Sequence, residues 1–163
     1  MGFDYRQVKQ FRDNLEQIDR EKDEFLQSCA KDLAARLLAL VIRRTPKDTG
    51  ALKRGWTTQR AGSGAEGLKS NSGRQFAETM KVHHFGDTYV VEIINLVEYA
   101  SYVEYGHRQQ PGRYVPALGV RLKKGWVKGK WMMTVSEKEI QAAAPQILEK
   151  KLEKWLRGCL NGK

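Results

Sequence analysis

At 163 residues, with 40% apolar and 29% charged side chains, the chain has the length of one domain and enough apolar material for a core without staples. That balance excludes wholesale disorder, and the longest apolar run, Leu33 to Ile42, contains Arg36 and is too short to span a bilayer. The net charge of +10 is concentrated: residues 46–135 hold fourteen basic and seven acidic side chains, against nine and eight in residues 1–45.

Asp4 to Ile18 places Tyr5, Val8, Phe11, Leu15 and Ile18 at three- and four-residue spacing, which predicts a short amphipathic helix. A second helix is expected from about Glu21 to Arg44, where Phe25, Cys29, Leu33, Leu37 and Val41 recur every four residues. Arg43 and Arg44 suit its carbonyl end, and Pro46 stops it. Asp48-Thr49-Gly50 is turn chemistry, and Lys53 to Arg60, around Trp56, reads as a first strand. Residues 61–75, rich in Gly and Ser with almost nothing to bury, read as a loop that is mobile in the free subunit.

A hairpin follows, with Phe76 to Phe85 and Thr88 to Asn95 flanking Gly86-Asp87. Val97 to Tyr105 fits a short helix ended by Gly106. Val120 to Leu122 and Trp126 to Val135 flank Lys123-Lys124-Gly125, which predicts a second, basic hairpin. Ser136 and Glu139 have the spacing of a capping box, and the last helix is expected to break or kink near Pro145. The sum is a single α+β domain over residues 1–163. A mainly antiparallel sheet, made of two hairpins and a strand, packs between a long N-terminal helix and a C-terminal helix.

Residues that carry chemistry are sparse. His83 and His84 are neighbours in a strand pattern, pointing to opposite faces, so they do not form a metal pair. Cys29 and Cys159 sit inside helical patterns and read as buried free thiols, and no cofactor or metal spacing is visible. Glu104 with His107 is the one pair that a hydrolytic reading would recruit. Polyanion attraction is the stronger signal. No Asp or Glu lies between Glu104 and Glu137, while Arg108, Arg113, Arg121, Lys123, Lys124, Lys128 and Lys130 do. A free basic nucleic-acid-binding protein would draw on the same stretch, though no helix-turn-helix, zinc or single-strand stacking signature accompanies it. The N-terminus lacks a basic region followed by an apolar core, so the chain is expected to fold in a cytoplasm or in something assembled there.

Two segments carry a resemblance. Thr45-Pro46-Lys47-Asp48-Thr49-Gly50-Ala51-Leu52-Lys53-Arg54-Gly55-Trp56 resembles the signature TP-x-DTG-x-L-[KR]-x-[SG]-W of tailed-bacteriophage tail-component or neck proteins of the lambdoid type. Glu98 to Arg108, with Tyr99, Ala100, Val103, Glu104, Gly106 and His107, resembles that family's second signature, EYA-x-YVE-[YF]-GH. The order of elements matches over nearly the whole chain outside residues 61–75. The resemblance implies a virion component without catalysis or cofactor, placed at the head–tail junction and assembled in the host cytoplasm. It also implies a homo-oligomeric ring around the DNA path, of about six copies. Implied neighbours are other neck, portal-adaptor, tail-terminator or tail-tube proteins, with no membrane. On the residues themselves, Leu52 and Trp56 read as core anchors, Gly50 as a backbone requirement, and Glu104 and His107 as polar partners or caps. Arg113, Arg121, Lys123, Lys124, Lys128 and Lys130 are the candidates to face either the DNA lumen or a partner.

Overall fold

The computed structural model describes residues 5–47, 50–58, 80–116 and 119–161. Asp48, Thr49, loop 61–75 and the start of the predicted first hairpin at Phe76 lie outside the described residues. Two long helices dominate: α1 (Tyr5–Arg44) and, at the other end of the chain, α4 (Met132–Asn161). Between them come α2 (Ala51–Arg54), β1 (Trp56–Thr57), β2 (His83–Phe85), β3 (Thr88–Val90), β4 (Ile94–Asn95) and α3 (Ala100–Tyr105). They are followed by β5 (Gly106–Arg108), β6 (Tyr114–Val115), β7 (Val120–Arg121) and β8 (Trp126–Lys128). The class is α+β, as expected, but the described strands pair two by two in short antiparallel ladders rather than in one sheet.

α1 and α4 run antiparallel as a stalk. Arg44 donates to Ser136 Oγ at 3.0 Å and pairs with Glu139, Lys151 Nζ donates to the Ser28 carbonyl at 2.7 Å, and Asn14 Nδ2 donates to the Leu160 carbonyl at 3.3 Å. Phe25 and Trp155 stack midway to the free end, with ring centroids 4.3 Å apart. The core lies at the opposite end, where Ala34, Leu38, Val41 and Ile42 of α1 meet Leu52, Trp56, Met80 and Met132. This small head positions everything that projects from it.

Several sequence expectations change. The two predicted N-terminal helices are one, because Asp19 and Arg20 at the supposed joint are not helix breakers and no Gly or Pro interrupts them. Among the described residues, the strand predicted over 53–60 is a helical turn, Ala51–Arg54, followed by only Trp56–Thr57 in strand. The β2–β3 hairpin is present and shorter, turning at Gly86-Asp87 with Phe85 opposite Thr88 and Gly86 at φ 59°. The second predicted hairpin is paired differently: β7 pairs with β6 and β8 with β5. The predicted strand to Val135 ends early, since α4 begins at Met132. The Ser136–Glu139 capping box is therefore inside the helix, where Ser136 Oγ donates to the Met132 carbonyl at 2.6 Å and Glu139 binds Arg44. Pro145 does not divide α4, which continues as one element to Asn161 along α1.

Candidate functional site

The first family-like segment closes α1. Thr45 accepts the Trp56 indole N–H at 2.9 Å and donates its hydroxyl to the Val41 carbonyl at 2.7 Å. Both Thr45 and Trp56 are buried, as is Leu52. Pro46 follows the helix end, and Gly50 sits at φ 81°, a left-handed conformation that a side chain disfavours. β1 then pairs with β4, putting Trp56 opposite Asn95 and Thr57 opposite Ile94. Asn95 in turn donates to the Leu52 carbonyl at 2.9 Å and accepts the Val97 amide at 3.0 Å. So one short ladder joins the first motif to the segment that leads into the second, some forty residues on in sequence.

The second segment sets the start of α4. Ala100 and Val103 pack on the core, Tyr99 is exposed, and Glu104 turns inward. Its carboxylate accepts the Met133 amide at 2.9 Å, the Thr134 amide at 3.0 Å and the Thr134 hydroxyl at 2.8 Å. A carboxylate at the first turn of a helix satisfies orphan amides and suits the positive end of the dipole. Glu104 is thus fully engaged as a cap and makes no pair with His107. His107 Nε2 lies 3.2 Å from the Gln109 side-chain nitrogen, and Nδ1 is buried without a partner among the described residues. Gly106, at φ 85°, ends α3 and crosses Gly129 at backbone contact: a Cβ on Gly106 would lie 2.4 Å from the Val127 carbonyl oxygen.

From that crossing a β arm leaves the head. β5 pairs with β8 (Arg108 opposite Trp126), and β6 pairs with β7 further out (Tyr114 opposite Arg121). Between the ladders, Gln109 N–H donates to the Gly125 carbonyl at 2.9 Å, while Gly112 and Leu122 N–H donate across at 2.8 Å. Strands 106–115 and 120–128 are therefore one irregular antiparallel ribbon, at most about 30 Å long at 3.3 Å per residue. Lys123-Lys124-Gly125 is not its tip, as the sequence suggests, but part of the returning strand.

The arm and its return to α4 bring the candidate cations together. Arg108, Arg113, Arg121, Lys123, Lys124, Lys128 and Lys130 are all exposed, and none forms an ion pair with a described residue. Arg121 is the most constrained, donating to the Gly112 carbonyl at 2.9 Å with its guanidinium 5.9 Å from the Tyr114 ring centroid. The nearest carboxylate in sequence, Glu104, is buried in its cap. Trp126 and Trp131 are half-exposed and do not belong to the core; Trp131 meets Tyr105 edge-on. Such a surface can hold phosphate or carboxylate oxygens without any sequence code. Among the described residues no cluster of His, Cys, Asp or Glu could hold a metal, and no helix is long and apolar enough to cross a membrane.

Comparison with known proteins supplies one match. The family model described as "Bacteriophage HK97-gp10, putative tail-component" matches residues 9–106, more than half of the chain, and ends where the arm begins. No curated protein matches and no solved structure matches.

Proposed function

We propose, from the premise that this chain belongs to the HK97-gp10-like family of bacteriophage tail components, that it is a structural virion protein of the head–tail neck. It works there as a homo-oligomeric ring around the DNA path, with the β arm turned towards the DNA. The family gives the coarse role. The observation that carries the finer one is the arm and its return to α4, with seven exposed cations and no carboxylate between Glu104 and Glu137. In a ring of about six copies, roughly forty positive side chains would converge on one channel. Contacts of that kind go to phosphates and tolerate any sequence passing through.

The test is reversal of Lys123, Lys124, Lys128 and Lys130 to Glu in the phage background. Loss of packaged DNA from otherwise assembled particles supports a lumen-facing arm. Particles arrested before tail joining would place the arm against an acidic neighbouring protein instead. Normal yield of DNA-filled, tailed particles refutes both.

A further inference from the structure

Each ladder of the arm sets an arginine across from an exposed aromatic ring. In the inner ladder Arg108 stands opposite Trp126, and in the outer one Arg121 stands opposite Tyr114. Directly opposed side chains of an antiparallel pair have Cβ atoms about 4.5–5.5 Å apart, so each ring has a guanidinium within reach. Trp126 has a second cation, Lys128, two residues along β8. Strand alternation puts the two on one face, about 6.6 Å apart at 3.3 Å per residue. Exposure follows the same alternation: Trp126 and Lys128 are exposed, and Val127 between them is partly buried.

The inner ring is seated on backbone. Trp126 reaches over Gly106, where a Cβ would come within 3.1 Å of its Cζ2, so the bare glycine lets the indole lie close to the ribbon. It is nevertheless 50% exposed, and that free side is open to an incoming ring. Among the described residues no other aromatic ring contacts Trp126, and no carboxylate pairs with Arg108 or Lys128. The outer ring repeats the arrangement: Tyr114 is half-exposed, with the Arg121 guanidinium 5.9 Å from its centroid.

Phosphate contacts alone do not call for these rings. A cation on a flexible stem reaches a phosphate oxygen unaided, and an intact duplex keeps the faces of its bases stacked inside. Exposed aromatics interleaved with cations suit an unpaired strand, whose bases stack on the rings while the cations follow its backbone. A protein partner also accepts aromatics and arginines. Here, however, the seven cations have no carboxylate among them: Glu104 is occupied in its cap, and the next, Glu137, lies in α4. Such a field favours a polyanion.

We propose that the arm is a binding site for single-stranded DNA. One base stacks on Trp126, with the flanking phosphates met by Arg108 and Lys128, and a second base stacks on Tyr114 beside Arg121. The proposal rests on the reading above that the arm meets DNA, and adds the form of DNA that it holds best. From Arg108 to Tyr114 the ribbon covers at most about 20 Å at 3.3 Å per residue, so one strand of several nucleotides engages both rings. Every base has a π-face, so the site is indifferent to sequence.

The test is equilibrium binding of the purified full chain to a labelled single-stranded oligonucleotide of mixed sequence. The same sequence as a blunt duplex is titrated at the same salt concentration. The single strand should bind more tightly and quench tryptophan emission. Trp126→Ala should weaken single-strand binding about ten-fold, remove most of the quench and leave duplex binding unchanged. Trp126→Phe should restore most of the affinity, and Tyr114→Ala should act in the same direction as Trp126→Ala. Arg108→Ala with Lys128→Ala should weaken both forms, as loss of phosphate contacts does. Circular dichroism confirms that each variant folds. A wild type that prefers the duplex, or a Trp126→Ala variant that keeps its single-strand affinity or loses both forms equally, overturns the stacking site and leaves the arm's approach to DNA standing. A wild type that binds neither form overturns both.

Discussion

Glu104 offers the sharpest check on how the head is held together, because one side chain on α3 ends the orphan status of α4's first amides. In Glu104→Ala the Met133 amide, the Thr134 amide and the Thr134 hydroxyl lose their acceptor in a site that is 6% exposed. Hydrogen bonds to a charged group are each worth about 1.5–3 kcal/mol, and a buried donor left without one costs about 1–3 kcal/mol. The hydroxyl can rotate to another acceptor and a water can reach one amide, so the three do not add. A loss of about 3–4 kcal/mol is expected, or roughly 6–16 °C in midpoint for a chain of this length. Glu104→Gln keeps one carbonyl acceptor in place but sets an NH2 against a donor and removes the charge facing the helix end, for about 2 kcal/mol. Urea unfolding followed by circular dichroism gives both numbers, and amide exchange at Met133 and Thr134 localises them. If Glu104→Ala unfolds within about 0.5 kcal/mol of wild type, the carboxylate is not the cap that the geometry makes it.

Four further outcomes follow from the same geometry. Thr45→Val leaves the buried Trp56 indole N–H without an acceptor and should cost about 1–3 kcal/mol, read by urea titration of tryptophan fluorescence; an unchanged midpoint would remove Thr45 from the head's framework. Gly129→Ala would put a Cβ 2.2 Å from the Glu104 carbonyl oxygen and 2.6 Å from the Tyr105 carbonyl carbon, both backbone. A loss above about 3 kcal/mol, or failure to fold, is expected. The Asp23 carboxyl is held below its ordinary value by the Tyr89 hydroxyl and next by Gln27, so the clasp that ties the β2–β3 hairpin to α1 contributes at neutral pH and is lost as pH falls through that lowered pKa. Tyr89→Phe should raise the Asp23 pKa in an NMR titration, and an identical titration in the variant would sink the assignment. Burial raises both the Cys29 and the Cys159 thiol, so alkylation at neutral pH should be slow in the folded protein and fast in urea.

The sequence announces elements better than it announces their partners. Four-residue spacing in Phe25, Cys29, Leu33, Leu37 and Val41 is a local signal, and it locates α1 well. What it does not contain is a stop at Ile18 to Glu21, and reading one there divided a continuous helix. Gly86-Asp87 gives the first hairpin because the turn chemistry and the flanking β-branched residues agree. Lys123-Lys124-Gly125 misleads for the same reason in reverse: it looks like a turn, yet register is set at a distance by β5, whose Arg108 faces Trp126. Ser136 and Glu139 fit a cap by spacing alone, whereas the real cap arrives from Glu104, about thirty residues upstream, which no local pattern encodes. Glu104 as a capping group is nonetheless legible, since a carboxylate in an otherwise apolar short helix needs buried donors. Of the candidate site, the cations are legible as an acid-free run; their union on a projecting ribbon is not, because it depends on the backbone crossing of Gly106 and Gly129.

That division also says where function sits. Thr45, Leu52, Trp56, Val103, Glu104 and Gly106 all serve the head, fixing the end of α1, the start of α4 and the root of the arm. Among the described residues only ten apolar side chains are buried, while seventeen large ones are exposed, many of them on the overhang, the arm and the far half of α4. A chain that spent its apolar residues only on its own stability would not distribute them so, because exposed contiguous patches on soluble proteins mark contact surfaces. The head is large enough to aim two cantilevers and too small to cover them. The stalk end leaves Val8, Phe11 and Leu15 uncovered. The arm offers cations without counter-charge, suited to a polyanion. Both surfaces leave a head that the antiparallel α1–α4 pair fixes, tied at Arg44, Ser136 and Glu139.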